Sequence, residues 1–264
     1  MKLFDSHAHL TSDQIFPEVD DVLERARAHG VDKIVNICTC DVTLKRGLDL
    51  RNKYDWVYNV ASTTPHDVVA DGERLFPFMS EHARNGDLVA VGETGLDYYY
   101  HDETKELQQH FLKKYFTLAL ETKLPIVIHC RDAFDDFFQI LDDAYFVEGF
   151  HAPGVLHCFT GTLTDAHDVV SRGWYLSLSG IVTFKQSHEM REVAKMVPLH
   201  QLLIETDTPY LAPQAYRGKR NEPAYLMETA KMIADLRGIP LEQLIEATYQ
   251  NACRFFNVKE ESAS

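Results

Sequence analysis

Residues able to do chemistry gather in a few short stretches of the 264-residue chain. His7 and His9 stand two apart, and Glu93, His129, His157 and Asp207 each sit at or just past the end of an apolar run. Side chains at i and i+2 of a strand share a face, so His7 and His9 can reach one ion. Imidazole nitrogen with carboxylate oxygen suits Zn, Mn, Mg, Fe or Co. Six such ligands exceed the four of one tetrahedral ion. Two divalent metal ions bridged by Glu93 and a water account for the number better. Each residue also has an ordinary reading. A His-x-His pair is a weak signal, His129 and His157 can be hydrogen-bonded core histidines, Glu93 can pair with an arginine, and Asp207 can cap the turn before Pro209. The coincidence of all six is what points to metal.

The elements that must position them follow from the apolar pattern. Buried-type strands are expected at 2–6, 33–37, 56–60, 88–92, 125–130, 154–158, 174–178 and 201–205. Amphipathic helices are expected at 17–29, 42–53, 68–84, 103–122, 134–145, 163–172 and 188–196, with tail helices at 224–236 and 241–251. Such alternation implies a parallel sheet with helices outside, and eight units in ~250 residues favour a single-domain (β/α)8 TIM barrel over an open doubly wound sheet. On this map all six ligand-type residues lie at carboxyl ends of strands, the face on which barrels build active sites.

Composition narrows the class. Apolar residues make up 45% and charged residues 25%, as in ordinary globular domains, and no apolar run reaches the ~18 residues of a membrane span. The opening MKLFDSHAHL lacks a secretory apolar core, so a cytoplasmic location is expected, with no obligatory protein partner. The five cysteines form no paired framework. Cys38 and Cys40 read as strand-end thiols, since no second pair follows to complete a soft metal site. A net charge of −14 argues against a protein that coats duplex DNA. Salt screening still allows a local cationic site on an acidic body.

Six segments, in order, resemble the TatD family of metal-dependent deoxyribonucleases within the amidohydrolase-like barrels: FDSHAHL (4–10), VGETGLDYYY (91–100), HCRDA (129–133), HCFTG (157–161), LLIETDTPYLAP (202–213) and RNEP (220–223). The resemblance implies a dinuclear site of His7, His9, Glu93, His129, His157 and Asp207. It implies hydrolysis of phosphodiester bonds in DNA by metal-activated hydroxide, including 3′–5′ exonuclease action on single-stranded DNA or RNA. One position departs. Where the family has Gly-x-His-Pro-His, this chain has Ser62-Thr63-Thr64-Pro65-His66, so Thr64 replaces the first histidine.

Two ions with ionised Glu93 and Asp207 leave a net positive site suited to phosphate. Asp207 can accept the attacking water's proton, and His66 can donate one to the leaving group. Glu205, two before Asp207, can orient a ligand histidine or simply make a buried hydrogen bond. Arg131 can contact phosphate or pair with Asp132 or Asp135; Arg220 can contact phosphate or cap the helix near Pro223. Tyr98, Tyr99, Tyr100 and Phe159 can stack on bases, or pack within their loops. The same ligand set also suits a hydrolase of a small amide or ester, or an aminoacyl-tRNA deacylase. A metal-binding barrel without turnover is the third reading.

Overall fold

The computed structural model describes residues 1–99, 102–146 and 151–260. Eight strands run β1 (Leu3–Ala8), β2 (Val31–Cys38), β3 (Val57–Ala61), β4 (Ala90–Asp97), β5 (Ile126–Arg131), β6 (Gly154–Leu156), β7 (Tyr175–Leu178) and β8 (Leu202–Ile204). The helices are α1 (Val19–Ala28), α2 (Asp41–Lys53), α3 (Val68–Asn85), α4 (Lys105–Thr122), α5 (Phe134–Ala144), α6 (Leu163–Ser171), α7 (His188–Met196), α8 (Leu226–Arg237) and α9 (Leu241–Phe255). Strands pair in sequence order, every pair parallel. The ring closes where Ala8 bridges Thr208, His9 N–H donates to Thr208 O (2.7 Å) and Asp207 N–H donates to His7 O (2.9 Å). The protein is therefore a (β/α)8 TIM barrel and not an open sheet.

Strands buried on both faces read as continuous apolar runs, which is why β2 and β5 were legible. Ile126 and Ile128 pack outward against the helices, whereas Val127 joins an interior cluster with Phe4, Val35, Ile37, Val60, Ala90, Val155 and Leu203. Tyr249, Ala252, Cys253, Phe255 and Phe256, from α9 and its end, complete that cluster. They plug the amino-terminal mouth and leave the carboxyl end for chemistry.

Several boundaries move. The fourth strand runs on to Asp97 instead of stopping at Gly92, so Glu93 lies within it. The sixth stops at Leu156, just before His157, and the last helix continues to Phe255. The helix expected from residue 224 opens with a 3-10 turn, Pro223–Tyr225. Cys38 is buried, its thiol pushed up to about 12 by burial, and Asn36 Nδ2 donates to its sulfur. Cys40 caps α2 with Thr43, so neither thiol is arranged as a metal ligand.

Two irregularities set the site. Strict alternation from inward-facing Phe4 would turn His7 outward. The register steps from Asp5↔Ile34 to Ala8↔Asn36, so β1 gains a residue between them and His7 swings inward. In β4 the register steps from Gly92↔Val127 to Thr94↔Ile128, and the extra residue is Glu93. Beyond it, Gly95 opposes His129 with φ +144°, and a Cβ there would lie 1.9 Å from His129 O. Gly218→Ala, at φ +84° but with open space around it, should cost about 1–2 kcal/mol in urea unfolding, and Gly95→Ala, which adds a backbone clash to the same kind of strain, about 1–3 kcal/mol more. Equal midpoints for the two variants would refute the close β4–β5 approach.

Candidate metal centre

Strands β5, β6 and β8 deliver their residues by plain alternation. Val127 and His129, Val155 and His157, and Leu203, Glu205 and Asp207 each share one face. Asp207 adopts φ +59°, a left-handed conformation that Asp tolerates better than branched residues.

All six expected residues converge on the carboxyl end of the barrel, and Glu93 divides them into two groups. Its Oε2 lies 3.3 Å from His7 Nε2 and 3.6 Å from His9 Nε2. Asp207 Oδ1 joins this group at 3.7 Å from His7 Nε2 and 3.5 Å from His9 Nε2. The other oxygen, Oε1, lies 3.1 Å from His129 Nδ1 and 3.0 Å from His157 Nε2. Donors bound at ~2.1 Å to one ion, with ~90–110° between them, are themselves ~3.0–3.5 Å apart. The distances from Glu93 to His129 and His157 fall in that range, and those of the first group, at 3.3–3.7 Å, lie at or just beyond its upper end. The His7 and His157 rings stack at 3.8 Å, tilted by only 4°, and each turns its Nε2 edge toward Glu93.

The supporting residues fix which nitrogen faces the centre. Asp97 Oδ2 lies 2.8 Å from His129 Nε2, leaving Nδ1 for Glu93 and an ion. Glu205, fully buried, lies 3.5 Å from His157 Nδ1 and accepts a 2.6 Å hydrogen bond from Cys158 N–H. The buried hydrogen bond expected of it is therefore present, and its carboxylate also stands beside the outer edge of the His157 ring. His7 Nδ1, His157 Nδ1 and Glu205 Oε2 are buried without hydrogen-bond partners. A cation on the Nε2 edges would fix a proton on each Nδ1 and aim that of His157 at Glu205, so the residues present fit the ion.

Electrostatics agree. Burial raises the Glu93 carboxyl's pKa, but His157, His129 and His7 overcome it and hold the group well below its ordinary value. Burial disfavours charge on His157, yet Glu93 and Glu205 push its pKa well above normal. His129, against the same penalty, is raised by Asp97 and Glu93, and His9 by Asp207 and Glu93. His7 is lowered, by burial and by His157. A cluster that draws protons onto buried imidazoles presents negative potential to any cation.

Other expected residues fare differently. His66 is exposed, its Nε2 3.4 Å from Asp97 Oδ2 and its ring edge-on to His129 at 5.4 Å. It therefore stands at the rim of the second group. Thr64 Oγ1 donates to Asp67 Oδ2 (2.8 Å) at the start of α3, so its hydroxyl secures a turn. Arg131 lays its guanidinium on the exposed Tyr99 ring at 3.8 Å. Arg220 donates to Gln14 O (2.7 Å) and Glu18 Oε2 (2.9 Å), tying its loop to the one after β1. Tyr98 O–H donates to Asp136 (2.8 Å), and Tyr100 lies outside the described residues. Phe159 needs correcting as a base-stacking platform. At 3% exposure its ring packs on Phe134 and offers no open face.

Two further residues stand against the cluster with little signal in the sequence. Asp97 lies four residues after Glu93, on the same face once β4 is extended; ending the strand at Gly92 hid it. Tyr210 is 49% exposed, with its ring edge-on to His9 at 5.8 Å. Only its position three residues past Asp207 could have signalled it.

A closed parallel barrel with histidines and carboxylates converging at its carboxyl end defines a metal-dependent hydrolase. The chain belongs to the TatD-related DNase family, whose model matches residues 4–257. It is 38% identical to an uncharacterized metal-dependent hydrolase, YabD, of Bacillus subtilis, over 97% of this chain and 99% of that protein. It is 33% identical to the 3′–5′ ssDNA/RNA exonuclease TatD of Cronobacter sakazakii, over 96% and 97%. The structure superposes on a TatD homologue from Escherichia coli, YJJV, with TM-score 0.89 and 28% identity, over 97% of this chain and 98% of that one. Among the described residues no helix is long and apolar enough to cross a membrane.

Asp97→Asn removes the charge that fixes the His129 tautomer while keeping its shape. Affinity for added Mn or Zn, read by competition with a chromophoric chelator, should fall about 10–100-fold with the melting temperature little changed. Wild-type affinity would exclude Asp97 from the centre.

Proposed function

We propose that the chain hydrolyses phosphodiester bonds in single-stranded DNA or RNA, removing nucleotides from the 3′ end, at a centre holding two divalent ions. The observation that carries this is Glu93 offering one oxygen to His7, His9 and Asp207 and the other to His129 and His157. Such a shared carboxylate would let the chain hold two ions, an arrangement that can stabilise both the attacking and the leaving oxygen of an in-line displacement at phosphorus. The naming of relatives as ssDNA/RNA exonucleases at 33–35% identity supports the substrate class.

His7, His9, Glu93 and Asp207 would hold one ion, and Glu93, His129 and His157 the other. When bound, the ions supply Lewis acidity to phosphoryl oxygens and hydroxide at neutral pH. Asp207, at the protein edge of the first group, accepts the proton from the attacking water. Asp97 and Glu205 keep His129 and His157 in the tautomers that face Glu93. His66, exposed beside Asp97, protonates the leaving oxygen in this reading, and Thr64 takes no part because its hydroxyl is engaged by Asp67. Arg131 on Tyr99 offers a charge and a ring to the strand.

Protein stripped with chelator and reloaded with Mn, Mg or Zn should shorten a 5′-labelled single-stranded oligonucleotide stepwise from its 3′ end. Glu93→Gln and Asp207→Asn should each lower the rate about 10³-fold while the circular dichroism spectrum stays that of the folded barrel. Loss of label from an aminoacyl-tRNA or a simple amide, with the oligonucleotide intact, would move the assignment to a different hydrolase; turnover of none would leave a binding barrel.

A further inference from the structure

The loop that follows Asp207 carries a basic run, Arg217-Gly218-Lys219-Arg220, on a chain of net charge −14. It is closed at its neck. Asn221 N–H donates to Pro209 O (3.0 Å), and its buried side-chain amide donates to Thr206 O and Tyr210 O, both at 2.7 Å. The 209–221 segment is therefore a compact loop with its ends pinned together beside Asp207, a form often used for ligand contact. A second anchor joins it to the turn after β7. Gln214 N–H donates to Thr183 Oγ1 (2.8 Å), and Gly180 lets Leu211 O approach where a Cβ would lie 2.5 Å away.

Within this fixed frame the cations differ. Arg220 is spent on Gln14 and Glu18, and the nearby Glu222 on Arg25 (2.7 Å). Arg217 instead lays its guanidinium on Phe184 at 4.0 Å, and Lys219 sits 5.8 Å above Tyr216, itself stacked on Tyr225 at 3.8 Å. Both are exposed, and among the described residues neither has a carboxylate partner. Aromatic support limits their freedom without neutralising them, so a phosphate arriving there meets held charges at low entropic cost. Half-exposed Tyr210 links loop and centre by its contact with His9.

We infer that Arg217 and Lys219 form a backbone track for single-stranded nucleic acid, gripping phosphates of the strand whose end lies at the centre. The inference rests on the proposed nucleic-acid substrate and adds where the rest of the strand runs. Each phosphate neutralised on a single strand contributes ~0.7 to the slope of log affinity against log salt.

The test is fluorescence anisotropy of a labelled oligothymidylate of about 20 nucleotides, in chelator so that nothing is cut. Arg217→Ala/Lys219→Ala should weaken binding about tenfold near physiological salt and flatten the salt slope by about 1.4. The charge-keeping pair Arg217→Lys/Lys219→Arg should restore most of the slope, and Lys231→Ala on α8 should match wild type. An alanine pair with wild-type affinity and slope overturns the track, even if the enzyme cuts oligonucleotides. Wild-type protein that binds through these cations yet cuts nothing upholds the track and overturns the hydrolysis.

Discussion

One buried carboxylate organises the carboxyl end of this barrel. Glu93 is nearly inaccessible, and an ionised carboxylate in such a place costs several kcal/mol unless its charge is met. Here it is met on both oxygens by imidazoles from β1, from β5 and from the residue that follows β6. Those imidazoles are drawn toward protonation by the carboxylates around them, His157 most of all. Protons and divalent cations compete for the same nitrogens, so a doubly charged cation on the ring edges that face Glu93 relieves the same imbalance more completely. The supporting carboxylates Asp97 and Glu205 then act on the opposite ring edges, fixing orientation from behind.

The barrel's closure is inseparable from that arrangement. The backbone hydrogen bonds joining β1 to the segment after β8 run through His7, His9, Asp207 and Thr208. Completing the ring therefore places Asp207 against the two histidines. Behind the seam, buried Asp5 accepts from Thr206 N–H (2.9 Å) and Thr206 Oγ1 (2.6 Å), with its carboxyl raised to about 7 by burial. Strand irregularities do the remaining positioning. One added residue in each of β1 and β4 turns His7 and Glu93 inward, and Gly95 lets β5 approach close enough to bring His129 alongside.

Much of this was legible in the residues. Eight apolar runs between amphipathic stretches gave the barrel, and ligand-type residues at the ends of those runs gave the face. Plain alternation sufficed for His129, His157, Glu205 and Asp207. Alternation alone would have sent His7 and Glu93 the wrong way, because a bulge is a pairing irregularity between two strands and leaves little trace in either one. Asp97 was hidden for a related reason. Gly92 reads as the end of a strand, whereas it and Gly95 mark where β4 passes close to β5. Side-chain environment was least legible. Nothing in HCFTG reveals that Phe159 is packed against Phe134, and nothing in Ser62-Thr63-Thr64-Pro65-His66 that Thr64 donates to Asp67.

The most direct measurement is anomalous diffraction from crystals of the protein grown with Mn. Two peaks on either side of Glu93 are expected, one among His7, His9 and Asp207 and the other beside His129 and His157. A single peak, or peaks that leave one oxygen of Glu93 uncoordinated, would contradict a carboxylate shared between two ions.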